Sequence, residues 1–392
     1  MRGNDRKAAV RFIVFLGTVS LFADITYEGA RSILGPFFLS LGASAAVVGA
    51  VAGAGELAGY TLRLFSGYLA DRTKSYWPLT ILGYVVNLIS VPLLALAGHW
   101  EMAAALVIAE RTGKSIRNPA RDVMLSQAAA EVGRGWGFGL HAAMDQIGAV
   151  LGPLLVAAVF ASTSRYKLTF GILAIPASLA VVALLSARIA YPHPQVFEKP
   201  RSGASQKFPR QFWLYITAAG MLAAGYVDFP LVAYHLEKHN IAPAVWSPLL
   251  YAVAMATNGI AALGFGKFFD RAGIVVLPFG ILLSLASLPL LFLGGFSMAL
   301  AGMVCWGAGI GAQDASLRAG IANMLPPSRR GAAYGIFNSI YGILWFAGSA
   351  IMGKLYELSI RDLVIFGVAA QAISIGLFMC VPPHSLVATE AN

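Results

Sequence analysis

The run PLTILGYVVNLISVPLLALA, residues 78–97, contains no charged side chain from end to end. A helix satisfies its own backbone N–H and C=O groups, so roughly 20 apolar residues suffice to cross a hydrocarbon core of about 30 Å. The run therefore reads as one membrane-spanning helix, and residues 274–293 make a second example just as unbroken. A membrane β-barrel would instead show alternating segments of about ten residues. Composition points the same way: 58% of residues are hydrophobic and 12% charged, against about 25% charged in a soluble chain. No globular core hides so much apolar surface, and lipid is the expected solvent.

Outward from that run, apolar stretches punctuated by Gly, Pro and charge predict an all-α integral membrane protein of 12 helices. They lie near residues 11–40, 44–66, 77–98, 101–117, 135–161 and 168–189, then 210–236, 244–265, 274–295, 297–317, 331–353 and 361–382. The polar stretch around Pro192, Pro194, Pro200, Gly203, Ser205 and Pro209 reads as a linker. It separates an N-terminal six-helix bundle, 1–190, from a C-terminal one, 210–392, with 191–209 between them. The net charge of +10 is spread over short connections rather than gathered on one surface, so no nucleic-acid partner is expected. The positive-inside rule accounts for those charges and places both termini in the cytoplasm, in a multi-pass protein of the cytoplasmic (inner) membrane. The first apolar stretch carries Asp24 and Glu28 and lacks a small-residue cleavage site, so it is expected to remain as helix 1 rather than act as a signal peptide. Cys305 and Cys380 fall within apolar runs and are expected to be reduced packing residues.

The two halves repeat. Gly67-Tyr68-Leu69-Ala70-Asp71-Arg72 after helix 2 has a counterpart in Gly266-Lys267-Phe268-Phe269-Asp270-Arg271 after helix 8. Arg134-Gly135-Trp136-Gly137-Phe138-Gly139 opens helix 5, and Arg330-Gly331-Ala332-Ala333-Tyr334-Gly335 opens helix 11. Both pairs are offset by about half the chain, the mark of a transporter built from structural repeats.

On these motifs the chain resembles the major facilitator superfamily over essentially its whole length. Gly67 to Lys74 looks like that family's motif between helices 2 and 3, and Gly148-Ala149-Val150-Leu151-Gly152-Pro153 is similar to the helix 5 motif of its antiporters. Glu110 to Arg117 departs from the helix 4 motif, because Ala109 stands where an Arg is expected four residues before Gly113. It resembles instead a poorly characterised prokaryotic branch with Gly-Lys-x-Ile-Arg at this place. The resemblance implies two pseudo-symmetric six-helix bundles and alternating access. It also implies a cytoplasmic gate in which Asp71 faces the positive end of a helix dipole, assisted by Arg72 and mirrored at Asp270 and Arg271. Gly148, Gly152 and Pro153 are either a flexible point or a small-residue packing surface.

An ionisable group deep in a membrane helix costs about 2.5 to 3.5 kcal/mol on insertion scales, so each one needs a reason to be there. Asp24, Glu28 and Arg31 share a face of helix 1, and His141 and Asp145 are spaced i,i+4 on helix 5. A carboxylate set between burial, which favours its neutral form, and a cation, which favours its charge, can be switched by substrate. Asp24, Glu28, Asp145 and His141 are accordingly the proton-coupling candidates. Arg31, Glu56, Arg63, Glu110, Arg111, Lys114, Asp228, Gln313, Asp314 and Tyr341 are candidates for lining a substrate cavity, and Tyr27, Trp136, Phe229, Trp306 and Trp345 are candidates for adding rings to it. The competing reading makes Glu28 with Arg31, or Glu110 with Lys114, structural ion pairs. Pro119 disfavours helix at the residue before it, so Arg117 and Arg121 are expected at the cytoplasmic membrane surface.

The expected function is secondary active transport by a monomer embedded in the bilayer: proton-coupled antiport exporting a small organic compound, with no cofactor beyond the proton as coupling ion. Proton-coupled uptake of an anionic metabolite or metal chelate is the alternative, and divalent-metal transport through His141, Asp145 and Asp24 a third. No resident metal site, nucleophile–base motif or phosphate loop is expected, so the chain does not read as an enzyme.

Overall fold

The computed structural model describes residues 2–192, 208–325 and 327–381; side chains at 2–5, 71, 130–131, 134–135, 322–323 and 327–332 lie outside the description. The core of the expected linker, residues 193–207, is also outside it. Fifteen α-helices run along the described chain. The first are α1 (Arg2–Arg31), α2 (Leu34–Ser40), α3 (Ala45–Thr73), α4 (Tyr76–Leu93) and α5 (Trp100–Val132). There follow α6 (Arg134–Thr163), α7 (Tyr166–Ile172), α8 (Ala174–Ala190), α9 (Arg210–Ala224) and α10 (Phe229–Lys238). The chain continues through α11 (Trp246–Ala272), α12 (Leu277–Phe292), α13 (Phe296–Met324), α14 (Pro327–Leu358) and α15 (Ile360–Met379).

Among the described residues, ten stretches are long and apolar enough to cross a membrane. One of them, Trp246–Phe292, has 47 residues, about 70 Å of helix at 1.5 Å per residue. It makes two crossings, α11 and α12, joined by a 3-10 turn at Gly273–Val276. Helix α5, with 33 residues, is also long enough to cross but carries too many charges to count as apolar. The architecture is therefore the all-α fold of 12 transmembrane helices. Side chains such as Phe65, Leu82, Ile89, Ile260 and Phe279 stay exposed on helix flanks, where lipid would cover them.

Packing divides the chain into two compact units, the first holding 1–43, 61–200 and 243–252 and the second 44–60, 201–242 and 253–392. The units follow the sequence halves except at two matching places: the opening turns of α3 belong to the second unit, and those of α11 to the first.

Helix ends depart from expectation where a polar sequence continues as helix. The two copies of the Gly-to-Arg motif are the last turns of α3 and α11 rather than loops. Both helices are followed by a residue with positive φ at the equivalent position, Lys74 at 52° and Gly273 at 62°. The Lys74 N–H returns to the Ala70 carbonyl at 2.8 Å, closing the last turn as a left-handed cap does.

The larger correction is α5, which does not end at Pro119 but runs on to Val132. A proline inside a helix removes the hydrogen bond to the carbonyl four residues earlier, here that of Ser115. The Ser66 hydroxyl of α3 donates to that carbonyl at 2.8 Å, replacing the missing N–H. Gly67 packs against this proline, and a Cβ there would stand 3.6 Å from the Pro119 ring, an ordinary contact that does not itself require glycine. Arg117 and Arg121 therefore lie within the helix, and Arg117 is buried in the unit at 1% exposure rather than open to lipid headgroups. Cys380 also departs from expectation, being exposed at the end of α15, while Cys305 is half-buried.

Candidate functional site

Helix α1 is the axis of the first unit. Gly148 and Gly152 of α6 lie so close to it that a Cβ on either would fall 2.5 Å from the carbonyl of Leu21 or Ile25, which makes them packing residues. Because α1 presents a side chain inward at every turn, Ser20, Asp24, Tyr27 and Glu28 all face the interior formed with α4, α5 and α6, and all are buried.

Two polar ladders result. In the first, Glu28 receives the Tyr251 hydroxyl from α11 at 2.6 Å on one oxygen and faces the Lys114 ammonium of α5 at 3.9 Å on the other. Lys114 also lies 3.8 Å from the centroid of the Tyr27 ring, a favourable place for a cation. The Tyr27 hydroxyl in turn donates to Asp24. In the second ladder, Asp145 and His141 of α6 pair at 3.2 Å, and the other ring nitrogen of His141 lies 3.1 Å from the Ser20 hydroxyl. Ser20 also accepts from Arg121 at 3.1 Å and lies 3.3 Å from the Tyr84 hydroxyl of α4. Arg121 is held from its other side by Asp122 at 2.8 Å.

One turn away, Asn87 of α4 donates to the Glu110 carboxylate at 2.7 Å, and Arg111 faces the same carboxylate at 3.2 Å. In place of the Glu110–Lys114 pair of the competing reading, Lys114 goes to Glu28 and Glu110 to Arg111. Arg31, Glu110 and Arg111 line a narrow crevice with Tyr27, whose far wall is apolar at Val91 and Leu94.

The second unit gathers a different set. Its first span breaks between α9 and α10, and side chains occupy the carbonyls that the break frees. Gln371 donates to Gly225 at 2.8 Å and Trp306 to Val227 at 2.9 Å. Asp228 opens α10 and accepts from the Trp345 indole at 3.0 Å and the Ser349 hydroxyl at 2.6 Å. Gln313 accepts from Tyr341 at 3.0 Å, and the Tyr341 ring meets Tyr60 edge-on at 5.3 Å. Asp314 is exposed, as is Trp136 in the first unit.

The structure therefore brings together Asp24, Glu28, Glu110, Arg111, Lys114, His141 and Asp145 in one unit, and Asp228, Gln313 and Tyr341 in the other. Glu56 and Arg63 are half-buried on α3, two turns apart. Of the gate motif, the Asp71 side chain lies outside the description, while Arg72, Asp270 and Arg271 are exposed and Arg72 reaches the Tyr68 hydroxyl at 3.3 Å. Among the described residues no three His, Cys, Asp or Glu side chains converge as a metal site would need. Sequence reasoning missed Ser20, Tyr84, Asn87 and Tyr251. Ser20 alone carried a signal, standing one helical turn before Asp24 on the same face.

A family model described as Major Facilitator Superfamily matches residues 14–349. An uncharacterised protein of Mycobacterium tuberculosis is 40% identical over 382 residues, covering 95% of this chain and 93% of its own. The fosmidomycin resistance protein of Escherichia coli is 31% identical over 162 residues, covering 40% of this chain and 38% of its own. The crystal structure of the nucleoside transporter NupG has the same fold, with a TM-score of 0.73 at 15% identity over 94% of this chain and 98% of that one. With the repeated halves and the 12 crossings already established, the chain belongs to the major facilitator superfamily and is a membrane transporter, not an enzyme.

Proposed function

We propose that this transporter is proton-coupled, carries a small organic compound by alternating access, and uses Asp24 to take up and release the proton. The observation that carries the reading is the kind of partner each carboxylate of the polar cluster in the first unit has. Glu28, Glu110 and Asp145 each face a basic group within 4 Å, and accepting a proton there means giving up an ion pair. Asp24 is held by the phenol of Tyr27, and a protonated Asp24 need only reverse that hydrogen bond.

Two directions of coupling fit this site. Export by antiport is supported by the helix 5 motif and by the partial similarity to a protein named for drug resistance; it requires proton and substrate to displace one another. Co-transport of an anion is supported by the basic face of α5. Neutralising Asp24 removes a negative charge beside Lys114, so a proton and an anion would favour each other's binding. The sign of substrate movement in inside-out vesicles under an imposed pH gradient separates the two.

The proton assignment has its own test. A thermal-shift screen on the purified chain supplies a ligand through mass-action stabilisation. In proteoliposomes, Asp24→Asn is expected to abolish gradient-driven movement of that ligand while leaving its binding and exchange. Gradient-driven transport persisting at the normal rate in the Asp24→Asn, Glu28→Gln double variant would remove α1 from the mechanism and make Asp145 with His141 the next choice.

A further inference from the structure

On α5, Lys114, Arg117 and Arg121 follow one another at intervals of three and four residues and so share one face. Two of these cations have polar partners: Lys114 has Glu28, and Arg121 has Asp122 and Ser20. Arg117, between them, is 1% exposed, yet its Nε and Nη1 have no hydrogen-bond partner. What holds it is the face of Tyr84, with the guanidinium carbon 4.1 Å from the ring centroid. Stacking uses the flat face of a guanidinium and leaves the donors around its edge available. A guanidinium has five donors, no acceptor, and a charge it does not lose. Burying one with donors unused is unfavourable until an acceptor arrives.

The surroundings say what kind of acceptor. Tyr27 adjoins both Arg117 and Asp24, its ring centroid 5.7 Å from the guanidinium carbon and its hydroxyl committed to Asp24. Lys114 lies over the same ring, its side chain 20% exposed where Arg117 is closed. A compound approaching past Lys114 meets two cations and two phenol rings one turn apart on neighbouring helices.

We propose that Arg117, with Lys114, binds an oxyanion of the transported compound, a carboxylate or a phosphate on a small organic molecule. The inference rests on the co-transport direction considered above and gives that reading its substrate class. Asp24 is the adjoining charge, so its protonation strengthens anion binding.

The test uses the purified full-length chain in detergent, unfolded thermally with sodium phosphate, sodium benzoate, or sodium chloride at matched ionic strength. Saturable stabilisation by phosphate or benzoate beyond chloride is expected. Phosphate alone would identify a phosphate-bearing substrate, and benzoate alone a carboxylate. Arg117→Gln is expected to weaken that binding by about tenfold or more, and Arg117→Lys to weaken it less, since charge remains but the planar fork is lost. Asp24→Asn is expected to bind the same anion more tightly at neutral pH. If Arg117→Gln does not fold, the Arg117→Lys and Asp24→Asn variants carry the test. No stabilisation by either anion beyond chloride, or equal stabilisation in wild type and Arg117→Lys, overturns the proposal. These are equilibrium measurements without a gradient. Anion binding that survives while Asp24→Asn still couples to protons would sink the proton assignment alone, and absent anion binding beside intact coupling would sink the anion site alone.

Discussion

Glu28 shows how much a single side chain joins in this protein. Its two oxygens tie α1 to Lys114 on α5 and to Tyr251 on α11. Removing one partner of a buried pair strands the other at a cost of about 3 to 5 kcal/mol. Lys114→Met is therefore expected to lower the unfolding temperature sharply, and adding Glu28→Gln in the same chain to restore most of the loss. A penalty of the same size in both backgrounds would mean that the pair does not stabilise the unit. Tyr251→Phe is expected to cost about 1.5 to 3 kcal/mol, the range for a hydrogen bond to a charged group. Asp24, Glu28, His141 and Asp145 were legible in the sequence because i,i+4 spacing places them on shared faces. Tyr251 and Tyr84 were not, because no spacing relates residues on different helices; only the folded packing sets Tyr251 against Glu28.

Helix α5 shows where a local rule fails within an element. Pro119 reads as a helix boundary, and the conclusion that Arg117 sits at the membrane surface followed from it. The rule describes a proline whose freed carbonyl finds no donor, and here Ser66 supplies one. Ser66→Ala is expected to cost about 1 to 3 kcal/mol, the price of a buried acceptor left unsatisfied. In a Pro119→Ala background the lost N–H returns to the Ser115 carbonyl, so Ser66→Ala should then cost little. A double-mutant cycle by thermal unfolding measures that non-additivity, and additive effects would show that Ser66 is not compensating for the proline. A related expectation concerns the contact of α6 with α1. Gly152→Ala places a methyl 2.5 Å from the Ile25 carbonyl and should destabilise by about 1 to 3 kcal/mol through overpacking. A neutral effect would mean that the helices separate readily there.

At the scale of the whole molecule, the hydrophobic runs and the repeated motif were enough to read 12 crossings and the family from sequence. Both signals are dictated by the bilayer and by the internal repeat, and neither depends on detailed packing. The exchange of the opening turns of α3 and α11 between the units was not legible, because it is a property of tertiary contact. Orientation is an expectation of charge placement: with basic residues retained on the inner side, a reporter fused after Asn392 should be active when it requires the cytoplasm. Activity confined to a periplasmic reporter would reverse the topology.

The central claim is that Asp24, and not one of its paired neighbours, changes protonation as the transporter works. Infrared difference spectra of the reconstituted chain, recorded as pH is lowered, report directly on the carbonyl stretch of a newly protonated carboxylic acid and require no substrate. On that claim, a buried carboxyl band is expected in wild type, lost in Asp24→Asn and retained in Glu28→Gln and in Asp145→Asn. A band that survives Asp24→Asn and is lost in either of the other two variants would contradict it.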